Sequence, residues 1–273
     1  MLSPTKKSRR SKSLGPVEAL EQKTVLAGNM AAYFADGALV LLGDSQNNSV
    51  EIAQNVDGGI SIFGVDGTSV NGSFDPVEVN EDTFLPEDIS ILSGRGRDSV
   101  LIESIDIGGS VSMLGGRGYD KLDLLDVAVD GDVFMAGGRG NDTLVIEDSG
   151  VGGSVDASFG RGNDDALIEA SLVMGNLNLI GGSHHDEFTL NNSVVESNVR
   201  IAGNNGRDTA VISNSEVDGA TTAVMGRGDD GLGFVDSVFG GLVYGNGGRD
   251  IDTLLLDSAF DGGFEFSKFE LDA

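Results

Sequence analysis

The sequence predicts an all-β protein, a right-handed, three-sided parallel β-helix with about 22 residues per coil, and three observations carry that prediction. An aspartate recurs every 22 residues as Asp98, Asp120, Asp142, Asp164, Asp186, Asp208, Asp230 and Asp252. Each is followed by apolar residues in alternation, the period of a strand with one buried face. Forty-two glycines supply corners, while only four prolines occur to interrupt strand ladders. A unit this short cannot bury its own apolar face, so the units must stack, and each repeated residue becomes a column.

The first strand follows the aspartate, with Val100, Leu122, Leu144 and Ala166 two positions on and Ile102, Leu124, Ile146 and Ile168 four positions on. A second inward column lies nine positions on, at Ile107, Val129, Val151 and Val173, and glycine then marks a corner at Gly109, Gly131, Gly153 and Gly175. The third strand places Val111, Val133, Val155 and Leu177 inward, partnered two residues later by Met113, Met135, Ala157 and Leu179. Crossover connections between parallel strands favour right-handed winding, and adjacent coils are expected ~4.8 Å apart.

Five regions follow. Residues 1–23 form a basic segment, read as targeting or disordered; 24–72 form an N-terminal coil or cap; 73–88 are an acidic, proline-containing insertion; 89–263 are the regular solenoid; 264–273 are a C-terminal cap. In the N-terminal region Asn48 takes the aspartate place, and Gly59 to Gly64 reads as a copy of the third strand. In the last unit the expected inward positions become Asp261, Glu265 and Ser267, while Phe260, Phe264, Phe266 and Phe269 crowd together as a cap.

The net charge is −27, and because residues 1–23 carry +4 the rest of the chain carries −31. Such a body repels nucleic acid and anionic membranes, so neither is expected as a partner. No apolar run approaches the roughly 20 residues of a membrane-spanning helix, so no membrane insertion is expected. Cations are the expected small partners. With no cysteine, the chain has no disulfides, zinc thiolates or thiol nucleophiles.

The turns before the aspartates read GGRGYD at Gly115 to Asp120 and GGRGND at Gly137 to Asp142. They resemble the glycine-rich calcium-binding turn of RTX, or haemolysin-type, proteins. That resemblance implies Ca²⁺ held between stacked turns by the eight aspartates, with Gly116, Gly118, Gly138 and Gly140 supplying carbonyls. One such turn occurs per coil here, where RTX rolls have two, so only one edge of the solenoid is expected to be calcified. Leu20 to Asn29, LEQKTVLAGN, is similar to the LExRxxLA-type motif near the start of planctomycete surface proteins, with Lys23 where arginine is more usual. Together the two resemblances imply an extracellular or cell-surface protein.

An aspartate column carries a conflict. Stacked carboxylates repel by roughly 3 kcal/mol per neighbouring pair at an effective dielectric of 20. Calcium answers that repulsion; so does the arginine three residues before most of the aspartates, at Arg95, Arg117, Arg139, Arg161, Arg227 and Arg249. The aspartate can also accept backbone amides of its turn.

His184 and His185 read as an irregular turn rather than a metal site. Ser149, Ser171, Ser193, Ser215 and Ser237 form a row without a repeated base, which reads as a hydrogen-bonded corner ladder rather than as nucleophiles.

The expected function is therefore a secreted or cell-surface, calcium-binding solenoid with a structural or adhesive role, not an enzyme. Its partners would be calcium and cell-surface or matrix polysaccharide or protein. The alternatives are a metal-independent binding or structural solenoid with an Arg–Asp ladder, and a carbohydrate-active β-helix enzyme with a unique polar groove near Arg200, Tyr244 or the histidines.

Overall fold

The computed structural model describes residues 28–79 and 86–270. The basic segment 1–23, nearly all of the Leu20 to Asn29 motif and residues 80–85 of the acidic insertion lie outside the described residues.

The chain is a parallel β-solenoid. In the coil that starts at Asp142, strands span Thr143–Glu147, Gly150–Val151 and Val155–Arg161. Each pairs in parallel with its equivalent one coil on, as in Leu144↔Ala166, Val151↔Val173 and Val155↔Leu177. The first two segments of every coil belong to a 15-stranded sheet and the third to a 12-stranded sheet.

One residue bends the longer sheet. In the strand Lys121–Val129 the inward residues are Leu122 and Leu124, then Val127 and Val129, so the alternation changes parity between Leu125 and Asp126. Asp126 adopts a positive φ of 54°, as do Asp148, Asn192, Asn214 and Asp236 in the same column. Asp and Asn tolerate the left-handed region better than other side-chain-bearing residues. Two consecutive outward residues turn the chain without breaking the ladder.

The columns anticipated from sequence are buried. Ile102, Leu124, Ile146 and Ile168 are fully enclosed, as are Val111, Val133 and Val155. Gly131, Gly153 and Gly175 have no positive φ; they are needed because a Cβ would strike the backbone of the preceding coil's corner, as at Gly131 against the Gly109 carbonyl, 2.7 Å away.

At the N-terminal end the pairing becomes antiparallel. Gly28–Ala35 forms a hairpin with Ala38–Leu42, and Ser49–Gln54 pairs antiparallel with Ile60–Gly64, which in turn pairs antiparallel with Val77–Val79. Gly59 to Gly64 is therefore no copy of the third strand; it folds back on the first strand of its own coil, in the other sheet. These reversals interrupt the parallel stack, and Thr68–Val70, parallel to Gly28–Met30, closes the edge of the 12-stranded sheet.

At the other end the apparent loss of inward positions is a one-residue deletion. Val235 pairs with Asp257 but Val238 pairs with Ala259, so the last coil lacks the left-handed corner residue. Everything after it stands in column one residue early: Phe239↔Phe260, Val243↔Phe264 and Gly245↔Phe266. Phe260 stacks on Phe239 at 5.3 Å between centroids. Phe266 occupies the space a Cβ on Gly245 would need, 2.5 Å from its ring. No helix among the described residues is long and apolar enough to cross a membrane.

Candidate functional site: a buried aspartate ladder

The eight repeated aspartates come together in one line, inside the solenoid. All are at most 2% exposed. Two left-handed residues set each one up: Gly116 and Gly118 before Asp120 have φ of 98° and 136°, and Gly138 and Gly140 before Asp142 have φ of 106° and 122°. These turns swing the chain so that the aspartate amide points along the solenoid axis with no strand carbonyl to meet it.

The next coil's carboxylate meets it instead. The backbone N–H of Asp98 donates to Oδ1 of Asp120 at 3.2 Å, Asp120 to Asp142 at 2.9 Å, and Asp142 to Asp164 at 2.7 Å. The ladder continues through Asp186, Asp208 and Asp230 to Asp252. Asn48 heads it, giving both its backbone amide, at 2.8 Å, and its side-chain Nδ2 to Asp98. An inward side chain of this length is what the site requires, because the donor lies one coil away along the axis.

The second oxygen of each carboxylate, Oδ2, is buried and has no partner. At Asp120, Asp142, Asp186, Asp208 and Asp252 it packs against the strand glycine five residues earlier, where a Cβ on Gly115 would lie 2.6 Å from Oδ2 of Asp120 and one on Gly247 2.5 Å from that of Asp252; Ser93, Phe159 and Met225 hold that place before Asp98, Asp164 and Asp230. Burial is the main force on the proton equilibrium, with neighbouring carboxylates adding to it at several rungs and the accepted amide opposing both. Asp120, Asp142, Asp186 and Asp230 are pushed up to about 7 and Asp164 to about 6. Asp98, Asp208 and Asp252 are raised for the same leading reason.

This geometry overturns the expected calcium site. Among the described residues no three or more His, Cys, Asp or Glu side chains are placed to hold a metal ion. The carboxylates face the core, and their free oxygen abuts backbone. The glycine carbonyls are also occupied: the Gly116 carbonyl packs under Gly138 and the Gly118 carbonyl under Gly140, closer than any Cβ would allow. Asp98, Asp120, Asp142, Asp164, Asp186, Asp208, Asp230 and Asp252, with Gly116, Gly118, Gly138 and Gly140, form a hydrogen-bonded turn stack that, among the described residues, gathers no metal-ligand cluster for Ca²⁺.

The arginines do not pair with the ladder either. They sit on the outside of the same turns, and the ion pairs among the described residues are Lys121–Asp123 at 2.7 Å and Arg207–Asp229 at 3.8 Å. The conflict of stacked like charges is answered by amide hydrogen bonds and by burial, which raises the affinity of each carboxyl for a proton.

The serine column is a second buried ladder. Val127 N–H donates to Ser149 Oγ, Ser149 N–H to Ser171 Oγ and Ser171 N–H to Ser193 Oγ, each at 3.1 Å. Each hydroxyl in turn donates to a carbonyl two residues earlier, as Ser149 does to Glu147 at 2.7 Å. The histidines keep the turn in register: His184 holds the left-handed position at φ 87°, and His185 Nδ1 accepts the Arg207 amide at 2.9 Å.

Two outer ladders were missed in the sequence. One runs through Asp88, Ser110, Asp132, Ser154, Asn176 and Asn198, and the other through Asn141 and Asn163 to His185. In both, the side chain accepts from the following coil, opposite to the inner ladders. The available signal was a column of short acceptors placed just after the corner glycine.

Compared with family models, with curated proteins and with solved structures, the chain matches none.

Proposed function

We propose that the protein is a metal-independent structural solenoid, a rigid scaffold whose coils are clamped together at their corners by side-chain acceptors rather than by bound ions. The buried aspartate ladder carries this reading. It runs unbroken from Asn48 to Asp252, each link being one amide donated to one carboxylate.

The chemistry of the repeat supports a scaffold over an enzyme. Polar constellations here recur coil after coil, whereas a catalytic site needs a singular convergence of groups. We place the protein at the cell exterior, on the basic lead from Lys6 to Lys12 and the resemblance of Leu20 to Asn29 to a surface-protein motif. Its partners there would be matrix or surface polymers and proteins.

Thermal unfolding with and without millimolar Ca²⁺, and after chelation, tests the metal-independent half. The expected result is one melting temperature in all three conditions. A chelator-sensitive rise with calcium would overturn it.

A further inference from the structure

The arginines released from any role in the ladder form a stripe of their own. Arg95, Arg117, Arg139 and Arg161 stand in direct register on consecutive strands of the 12-stranded sheet. All four are exposed, and none is in an ion pair among the described residues. Beside them, on the same outer face, lie three exposed apolar side chains, Leu92 at 42%, Leu114 at 47% and Phe134 at 41%. From Ile89 on, Asp156 is the one carboxylate in these four strands. In a chain of net charge −27 this face is an island of positive charge.

Eight to eleven residues after each arginine, on the 15-stranded sheet and its bend, the sign reverses. Glu103, Asp106, Asp126, Glu147, Asp148 and Glu169 point outward along the same coils, and among the described residues none of them is in an ion pair. Like charges directly opposite one another on paired strands are destabilising. The arginine stripe, and the acidic stripe where Glu147 stands opposite Glu169, are therefore relieved by a partner of opposite sign repeating at the strand spacing of ~4.8 Å.

We infer that the arginine stripe docks the acidic stripe of a second copy of this chain, so that solenoids associate side by side. A second copy offers the same spacing at Glu147 and Glu169, which stand in register on neighbouring coils as the arginines do. The two stripes lie on different faces, so the contact is heterologous and leaves a free stripe at each side, which gives an open row rather than a closed dimer. Arginine beside exposed aromatic and aliphatic side chains is also the composition of interface centres. The net charge opposes approach, but at 0.15 M salt the Debye length is ~8 Å, so repulsion between the bodies is screened while charges in contact are not. This inference rests on the scaffold reading and names what the scaffold assembles with.

Sedimentation of the full chain in 0.15 M salt tests it with two charge-reversed variants, Arg117→Glu with Arg139→Glu, and Glu147→Lys with Glu169→Lys. Wild type should form concentration-dependent rows. Each variant, with a circular dichroism spectrum and melting temperature matching wild type, should associate at least tenfold more weakly alone, and an equimolar mixture of the two should recover association. A wild type that is monomeric at every concentration overturns the inference, as do variants that associate like wild type. A monomeric wild type retained on immobilised polygalacturonate through Arg117 and Arg139 would replace the second copy by a polyanion. None of these failures alters the calcium or pH response of the ladder, so the scaffold reading is tested separately.

Discussion

The backbone N–H of Asp120 donates to Oδ1 of Asp142 at 2.9 Å, across one coil, while Oδ2 of both residues is buried without a partner. One half of each carboxylate is therefore indispensable to the backbone, and the other half is destabilising when charged. Removing the side chain and removing only the charge therefore have unequal consequences.

Asp142→Ala leaves the Asp120 amide buried and unsatisfied and is expected to destabilise by about 1–3 kcal/mol. Asp142→Asn keeps an acceptor oxygen on a side chain of the same length. At pH 8 it is expected to cost less than alanine does. Denaturant unfolding of the two variants side by side checks the order, and equal losses would show that the amide bond is not what the aspartate supplies.

Stability should fall as pH rises. The ladder aspartates have folded-state pKa values raised to about 6 to 7 in Asp120, Asp142, Asp164, Asp186 and Asp230. The unfolded chain releases those protons near the ordinary value of about 3.9, so between roughly pH 4 and 7 the folded state holds more protons and loses stability with increasing pH. The melting temperature is expected to be several degrees higher at pH 5 than at pH 8. General self-repulsion of an acidic chain acts in the same direction. A double variant, Asp142→Asn with Asp164→Asn, separates the two, because only ladder titration is flattened by it.

His184 occupies a left-handed position, at φ 87°, that is glycine in most other coils. A side chain there costs about 1 kcal/mol. His184→Gly should therefore raise stability by about that amount. Gly140→Ala should do the reverse and more, since its Cβ would run into the Gly118 carbonyl below. Urea melts of both variants check the pair, and a destabilised His184→Gly would mean that its hydrogen bond to the Ser183 carbonyl outweighs the backbone strain.

The coil was legible because its signal is periodic and apolar. Val100 through Leu232 and Ile102 through Phe234 announce an inward face in any register, and stacking follows from the inability of one coil to bury it. The direction of the aspartates was not legible. A glycine-rich turn ending in aspartate reads the same whether the carboxylate faces solvent and an ion or faces the core and an amide. What decides it is the parity set by the two left-handed residues before it, which an apolar pattern does not record. The last coil was obscured for a related reason. Deleting the single corner residue between Asp257 and Ser258 shifts every later column, so Phe260 and Phe264 looked misplaced while standing directly on Phe239 and Val243.

The central claim is that the aspartate ladder is buried, proton-retaining and free of metal. The carboxyl carbon resonances of the aspartates, followed by NMR through a pH titration with and without 5 mM Ca²⁺, test it most directly. The expected result is a group of aspartates titrating at about 6 to 7, unchanged by calcium. Ladder aspartates titrating near 4, with resonances that move on adding calcium, would contradict it.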